Sequence, residues 1–172
     1  GAERRWWQTI RPSRLADAGG GDPLQLLDLN IRSAMRRGSR LHDLLAAIDY
    51  LPIDQPAPEL EQVLHHEAVC RVLSRRYGNE LLWRERSFAV ALEGSVLRGI
   101  FDRVAIKQDD QGWASRAVLI DFKTELYSDA AVEIYQPQIN SYRRALSSLL
   151  GLDEHLVAAE LLFVNDGVSV QL

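Results

Sequence analysis

An aspartate and a lysine stand two positions apart where a strongly apolar stretch ends. Residues 118–120 are Val-Leu-Ile, and Asp121, Phe122 and Lys123 follow directly. Because side chains two residues apart in a β-strand point to the same side of the sheet, Asp121 and Lys123 are expected to lie together at the end of a buried strand. Such a pair is a salt bridge that fixes the strand end, part of a metal site, or both. By itself the pair fits each of these.

A second aspartate, Asp102, follows two apolar residues in the strand expected beside that of Asp121. Neighbouring strands lie about 4.8 Å apart, so two carboxylates at matching heights could share a cation. Without a cation they would repel and at least one pKa would rise, whereas a divalent metal favours both ionised forms. Magnesium suits carboxylate ligands, and a nearby lysine can orient or deprotonate water and stabilise charge on a phosphate. The alternative is that Asp102 pairs with Arg103 or another neighbour at the surface. Gly99 weakens that alternative, because glycine within a strand often permits close approach of another backbone or a ligand.

The periodicity of apolar residues predicts the elements that position these acids. One helix is expected over residues 24–50, with an interruption near Gly38, and a second from residue 58 or 59 to Tyr77, where Gly78 would stop it. The predicted strands are 82–92, 95–107, 116–123, 158–164 and 168–172, with a helix at 130–150 between the third and fourth. That helix should bury one broad face: Ile134, Ile139, Tyr142, Ala145, Leu146 and Leu149.

This order predicts an α/β domain of the α+β type. A mixed central sheet of about four to five strands would be flanked by helices, in the order α-α-β-β-β-α-β-β. The short connections make the first three strands an antiparallel meander. Residues 1–23 form an irregular N-terminal segment or linker, and residues 24–172 form the domain.

Composition and charge narrow the class of protein. The 172 residues fit one domain, and a net charge of −4 argues against binding nucleic acid by charge alone, although a basic cleft remains compatible with it. The single cysteine, Cys70, excludes disulfides within the chain, a cysteine-rich zinc site and a four-cysteine iron–sulfur cluster. It fits a reducing cytoplasm, and we find neither an export signal nor a membrane span.

Four short motifs occur in order between residues 38 and 142, each on the expected element. They are Gly38 to His42 (G-x-x-x-H), Gly99 to Arg103 (G-x-x-D-R), Asp121 to Lys123 (D-x-K) and Gln138 to Tyr142 (Q-x-x-x-Y). Together they resemble the nuclease domain of RecB and AddA, within the PD-(D/E)XK phosphodiesterase superfamily. The resemblance implies a restriction-endonuclease-like core.

The resemblance also implies roles for particular residues. His42, Asp102 and Asp121 would hold a metal ion with the backbone carbonyl of Phe122, and Lys123 would act on the attacking water. Asp102, Asp121 and Lys123 would form the catalytic set.

Further residues would surround this set. Gln138 and Tyr142, one turn apart on a helix, would bind the DNA backbone or support the site, as would Arg103. Glu85 is either a peripheral site residue or an exposed partner of a neighbouring arginine.

By the same resemblance, the chain is expected to be a Mg²⁺-dependent deoxyribonuclease, with Mn²⁺ as a substitute and without an iron–sulfur cluster. It would be the exonuclease domain of a helicase–nuclease that processes single-stranded DNA or duplex ends in double-strand-break repair and recombination. A helicase domain in the same chain or complex is the expected partner. The alternatives are a free-standing exonuclease, a restriction-like endonuclease, or an inactive module that binds DNA or a helicase.

Overall fold

The computed structural model describes residues 40–92 and 94–172. The predicted segment 1–23, Gly38 and the first part of the helix at 24–50 lie outside these ranges. Among the described residues, no helix is both long and apolar enough to cross a membrane.

A single five-stranded sheet organises the described chain, with its strands in sequence order. The strands are β1 (Glu80–Leu92), β2 (Ser95–Gln108), β3 (Ala114–Lys123), β4 (Val157–Phe163) and β5 (Val168–Gln171). β1, β2 and β3 form an antiparallel meander, β3 and β4 are parallel, and β4 and β5 are antiparallel. The predicted mixed sheet is therefore confirmed. Parallel neighbours need a crossover connection, and here it contains the long helix α4 (Asp129–Leu150).

Within the described residues, three short helices precede the sheet: α1 over residues 40–46, α2 (Pro58–Glu61) and α3 (Glu67–Leu73). The prediction of one helix reaching Tyr77 is wrong. His66 has an extended backbone (φ −80°, ψ 124°), and its ring contacts the carbonyl oxygen of Asn165 at 3.1 Å. Beyond α3, the Glu80 carboxylate accepts the backbone N–H groups of Arg76 and Tyr77 at 2.8 and 2.9 Å. The contact with the distant Asn165 interrupts the predicted helix before α3, and the local contacts with Glu80 accompany its end after α3.

The sheet is covered on both faces, which gives two buried clusters. α4 packs on one face, over Phe101, Leu119 and Leu161, whereas α1, α2 and α3 pack on the other. The predicted apolar face of α4 is partly wrong, because Ile134 is 59% exposed and Leu149 is 45% exposed. Only the central part of that face contacts the sheet.

A buried carboxylate connects helix α3 to strands β4 and β5 at one edge of the sheet. Glu160 of β4 is 1% exposed and pairs with Arg71 at 2.5 Å and Arg76 at 3.2 Å. Burial by itself raises the pKa of Glu160. Hydrogen bonds from Arg71 and Ser169, with the arginine charges, outweigh burial and hold the pKa below its ordinary value. This network fixes α3 against β4 and β5.

Candidate active site

Asp121 and Lys123 form an ion pair at the end of β3. The Lys123 Nζ lies 2.6 Å from Asp121 Oδ2, and both side chains are largely buried. The prediction that they share one side of the strand is confirmed. The strand end is held in place because the carbonyl of Lys123 accepts the N–H of Val164 at 2.9 Å.

The environment of Asp121 disfavours its charged form. Burial, followed by the negative charge of Asp102, raises its pKa to about 6, although Lys123 and His42 act in the opposite direction. A carboxylate that is charged at this position at neutral pH is therefore costly without a further cation. This is the behaviour expected of two acids that share a metal site.

Tyr135 of α4 holds the lysine from its other side. The Lys123 Nζ lies 3.7 Å from the centre of the Tyr135 ring, which is the geometry of a cation–π contact. Burial, with a hydrogen bond to Glu125, raises the pKa of Tyr135 above its ordinary value. The sequence analysis missed Tyr135. The available signal was its position three residues before Gln138, on the same helix face.

Three potential ligands converge beside this pair, each from a different element. His42 of α1 places Nε2 3.2 Å from Asp102 Oδ2 and Nδ1 3.8 Å from Glu85 Oε1. One ligand atom from each of the three residues lies within 4.8 Å of the others. A hydrogen bond with Asp102 raises the pKa of His42 in spite of burial.

The pairing of β1 with β2 is interrupted where Glu85 and Asp102 face each other. The hydrogen-bonded register of β1 and β2 is continuous on both sides but skips Glu85 and Asp102. Glu85 has φ 43°, a left-handed conformation that non-glycine residues seldom adopt. Burial and then the charge of Asp102 raise the pKa of Glu85. Strained backbone of this kind is concentrated at functional sites. Glu85 contacts His42, while Arg84 pairs with Asp49.

Asp102 connects the two halves of the site. Its Oδ2 also accepts the backbone N–H of Phe122 at 2.8 Å, which sets Asp102 at the height of Asp121 on the neighbouring strand. The expected ligand set of His42, Asp102 and Asp121 is thus brought into one region. The tightest cluster nevertheless contains Glu85, while Asp121 is engaged by Lys123. The Phe122 side chain lies in the core, 5.9 Å from the His42 ring between centroids.

The tyrosine of the last motif lies beneath the site. Tyr142 is 4% exposed, and its ring meets those of Phe88 and Phe101 edge-on at 5.0 and 5.8 Å. Burial raises its pKa, and the charges of Asp121 and Asp102 act in the same direction. A Cβ atom on Gly99 would collide with the Tyr142 hydroxyl and with Phe88. The close approach at that glycine is made by a side chain, that of Tyr142, and not by the backbone or ligand that the sequence led us to expect.

These positions favour the supporting role over DNA contact for two of the named residues. Tyr142 is buried and hydrogen-bonds the side chain of Gln138, which is itself half-buried. Arg103 is 2% exposed, and its guanidinium donates to the carbonyl oxygens of Ile48 and Asp49 at 2.9 and 2.6 Å.

A groove of about 560 Å³ lies beside the cluster, between the end of α1 and the edge strand β1. Its lining includes Asp43, Ala47, Trp83, Glu85 and Arg86. The Arg86 guanidinium lies 5.4 Å from the Trp83 ring centre. Glu85 is therefore reachable from outside, as a residue that meets a substrate must be.

A mixed sheet with acids from neighbouring strands, and a lysine at the strand exit, is an arrangement that suits a metal-dependent nuclease. The sequence model of the PD-(D/E)XK nuclease superfamily matches residues 23–170. The chain belongs to this superfamily, and the predicted restriction-endonuclease-like fold is confirmed. No curated protein sequence matches the chain significantly.

The donor set fits the divalent metal ion that members of this superfamily use. One imidazole and two carboxylates lie close enough to share an ion. Burial, followed by the charge of Asp102, raises the pKa of Asp121, so a cation nearby would favour its charged form. His42, Glu85 and Asp102 would hold the ion, with Asp121 within the same field of charge.

Proposed function

We propose that this domain is a Mg²⁺-dependent deoxyribonuclease, with Mn²⁺ as a substitute. The observation that carries the proposal is the convergence of His42, Glu85 and Asp102 beside the Asp121–Lys123 pair. The substrate is a DNA phosphodiester, and the reaction is in-line hydrolysis that leaves a 5′-phosphate. The backbone carbonyl of Phe122, at the end of β3, completes the proposed ligand set.

A divalent cation in this cluster supplies a Lewis acid that lowers the pKa of water and neutralises phosphate charge. Asp102 would hold the ion, and its hydrogen bond from the Phe122 N–H keeps the carboxylate in place. His42 and Glu85 would hold it with Asp102. Asp121, which is paired with Lys123, would supply a further carboxylate on turning from the lysine.

Lys123 acts on the attacking water. Its ammonium group orients the water and stabilises negative charge that develops on the phosphate. The Tyr135 ring keeps that group at the strand exit when Asp121 turns away. Gln138 and Tyr142 hold the acids from below, since the Tyr142 hydroxyl hydrogen-bonds Gln138 and the backbone at Ile100.

We further propose that the domain is the exonuclease module of an AddA/RecB-like helicase–nuclease in double-strand-break repair and recombination. The four motifs between residues 38 and 142 support this relationship. A helicase domain in the same chain or complex would deliver single-stranded DNA, which fits a domain with net charge −4. A cytoplasmic location belongs to the same proposal.

DNA cleavage with defined substrates tests the proposal. Purified protein is incubated with end-labelled single-stranded, linear duplex and circular DNA, in Mg²⁺, in Mn²⁺ and in EDTA. We expect metal-dependent shortening of linear DNA from its ends. Cleavage of circles would instead indicate a restriction-like endonuclease. Degradation of duplex ends as fast as single strands, with no helicase present to separate the strands, would indicate a free-standing exonuclease.

A matched pair of variants connects cleavage to the site. Asp102→Asn keeps an acceptor for the Phe122 N–H but removes the charge, so we expect cleavage to be lost. Asp110→Asn changes an exposed loop acid in the same way and should cut like the wild type. If the wild type binds metal and DNA but leaves every substrate intact, the chain is an inactive binding module and the proposed activity is wrong.

A further inference from the structure

Two arginines from neighbouring strands hold the end of the helix that carries His42. Arg84 of β1 donates to the carbonyl oxygen of Ala46 at 2.7 Å and pairs with Asp49 at 2.7 Å. Arg103 of β2 donates to the carbonyl oxygens of Ile48 and Asp49 at 2.9 and 2.6 Å. The last carbonyls of a helix lack partners within it. Arg84 supplies a partner for that of Ala46, the last residue of α1, and Arg103 supplies partners for the carbonyls of the turn that follows.

The arrangement is costly for the sheet. Arg84 and Arg103 are direct cross-strand partners, and like charges placed opposite each other are destabilising. Burial also lowers the pKa of Arg103. The carbonyl oxygens of Ala46, Ile48 and Asp49 and the Asp49 carboxylate offset part of this repulsion. The Glu80 carboxylate also favours the charged form of Arg103, whose guanidinium lies 5.7 Å from the centre of the Tyr50 ring. Because the two guanidinium groups donate to residues 46–49, the two arginines fix the end of α1 and the turn that follows it against β1 and β2.

Each of these arginines is adjacent in sequence to an acid of the cluster. Arg84 precedes Glu85, and Arg103 follows Asp102. Each strand therefore directs one acid to His42 and one guanidinium to the end of the helix that carries it. The distances of His42 from Asp102 and Glu85, 3.2 and 3.8 Å, depend on where α1 is held.

We propose that Arg84 and Arg103 are positioning residues that set the metal affinity of the site by fixing α1, and hence His42, against the two acids. This inference rests on the proposed metal site. It assigns Arg103 of the G-x-x-D-R motif to helix placement, and it adds Arg84, which lies in none of the four motifs.

Mn²⁺ binding, measured by isothermal titration calorimetry without DNA, tests the inference independently of cleavage. Arg84 is partly exposed, so Arg84→Gln is expected to remain folded by circular dichroism. We expect it to bind Mn²⁺ about tenfold more weakly, as is typical when a residue that orients a metal ligand is removed. Arg84→Lys keeps the charge and one donor and should recover part of the loss.

Arg76→Gln is the matched control, because Arg76 makes a comparable ion pair with Glu160 and contacts none of the cluster. It should lower the melting temperature and leave Mn²⁺ affinity unchanged. Equal weakening in Arg76→Gln and Arg84→Gln would mean that general destabilisation is the cause, and the inference would be wrong.

A double-mutant cycle separates this inference from the proposed function. His42→Ala should weaken Mn²⁺ binding, and Arg84→Gln added to it should have little further effect, because the ligand that Arg84 positions is gone. If His42→Ala weakens binding but Arg84→Gln alone does not, the positioning role is refuted while the metal site stands. If His42→Ala binds Mn²⁺ like the wild type, the proposed site itself is wrong.

Discussion

Asp121 should make the metal-free protein less stable as pH rises, and Asp121→Asn should remove this effect. The folded-state pKa is raised from 3.8 to about 6 by burial and by Asp102. A carboxyl group whose folded pKa is raised binds its proton more tightly in the folded state. Its contribution to stability is therefore fully present below about pH 4 and is lost as pH rises through about 6.

The size of the effect follows from the shift. The difference between 3.8 and about 6 is about two units, which corresponds to about 3 kcal/mol at about 1.4 kcal/mol per unit. In EDTA, we compare the free energy of unfolding of Asp121→Asn with that of the wild type at each pH. The difference, variant minus wild type, should become about 3 kcal/mol more positive between pH 4 and pH 7.5. Urea denaturation at the two pH values measures it, with Asp110→Asn as the control.

Magnesium should reduce the difference in stability between the two proteins at pH 7.5. An ion that binds only the folded state stabilises it, and the wild type offers the additional charged carboxylate. We expect the advantage of Asp121→Asn at pH 7.5 to shrink or disappear when saturating Mg²⁺ replaces EDTA. The reasoning is refuted if the difference between the two proteins in EDTA is the same at both pH values.

Three further predictions concern neighbouring residues. Gly99→Ala should lower the free energy of unfolding by about 1–3 kcal/mol, because the added methyl group overpacks against α4. Gly78→Ala, where the added methyl group meets open space, should not. Equal melting temperatures for the two variants would contradict the close contact at Gly99. Tyr135→Leu removes the cation–π contact with Lys123, which is worth about 0.5–2 kcal/mol. The single-turnover cleavage rate should therefore fall several-fold while the Mn²⁺ affinity is kept. An unchanged rate would mean that Tyr135 does not hold Lys123 for catalysis. Because imidazole favours Mn²⁺ over Mg²⁺, Mn²⁺ should support cleavage at lower concentration, and His42→Gln should narrow that difference; if it does not, His42 is not a ligand.

The sheet could be predicted from the sequence because the pattern of apolar and polar residues in each strand reflects how that strand is buried. Apolar residues 117–120 of β3 are buried on both faces, and the pattern changes where the polar pair Asp121 and Lys123 begins. The pair follows from the two-residue repeat of a strand, and it is found as an ion pair. Adjacent strands joined by short loops then bring Asp102 beside it.

The remaining features depend on contacts between residues far apart in the sequence. The predicted second helix is interrupted at His66 because Asn165, 99 residues away, supplies a partner that no local pattern contains. Likewise, Tyr135 contacts Lys123 only because α4 packs over the C-terminal end of β3. The helix-holding role of Arg84 appears only when β1 and the end of α1 come together.

The rate of phosphodiester hydrolysis in Lys123→Ala tests the central claim most directly. The assay is single-turnover cleavage of end-labelled single-stranded DNA in saturating Mg²⁺. The control is Lys107→Ala, which removes an exposed lysine near the C-terminal end of β2. If Lys123 acts on the attacking water, its removal should slow hydrolysis by about 10²–10⁴-fold, while Lys107→Ala keeps the wild-type rate. Cleavage by folded Lys123→Ala at the wild-type rate would contradict the assignment of the active site.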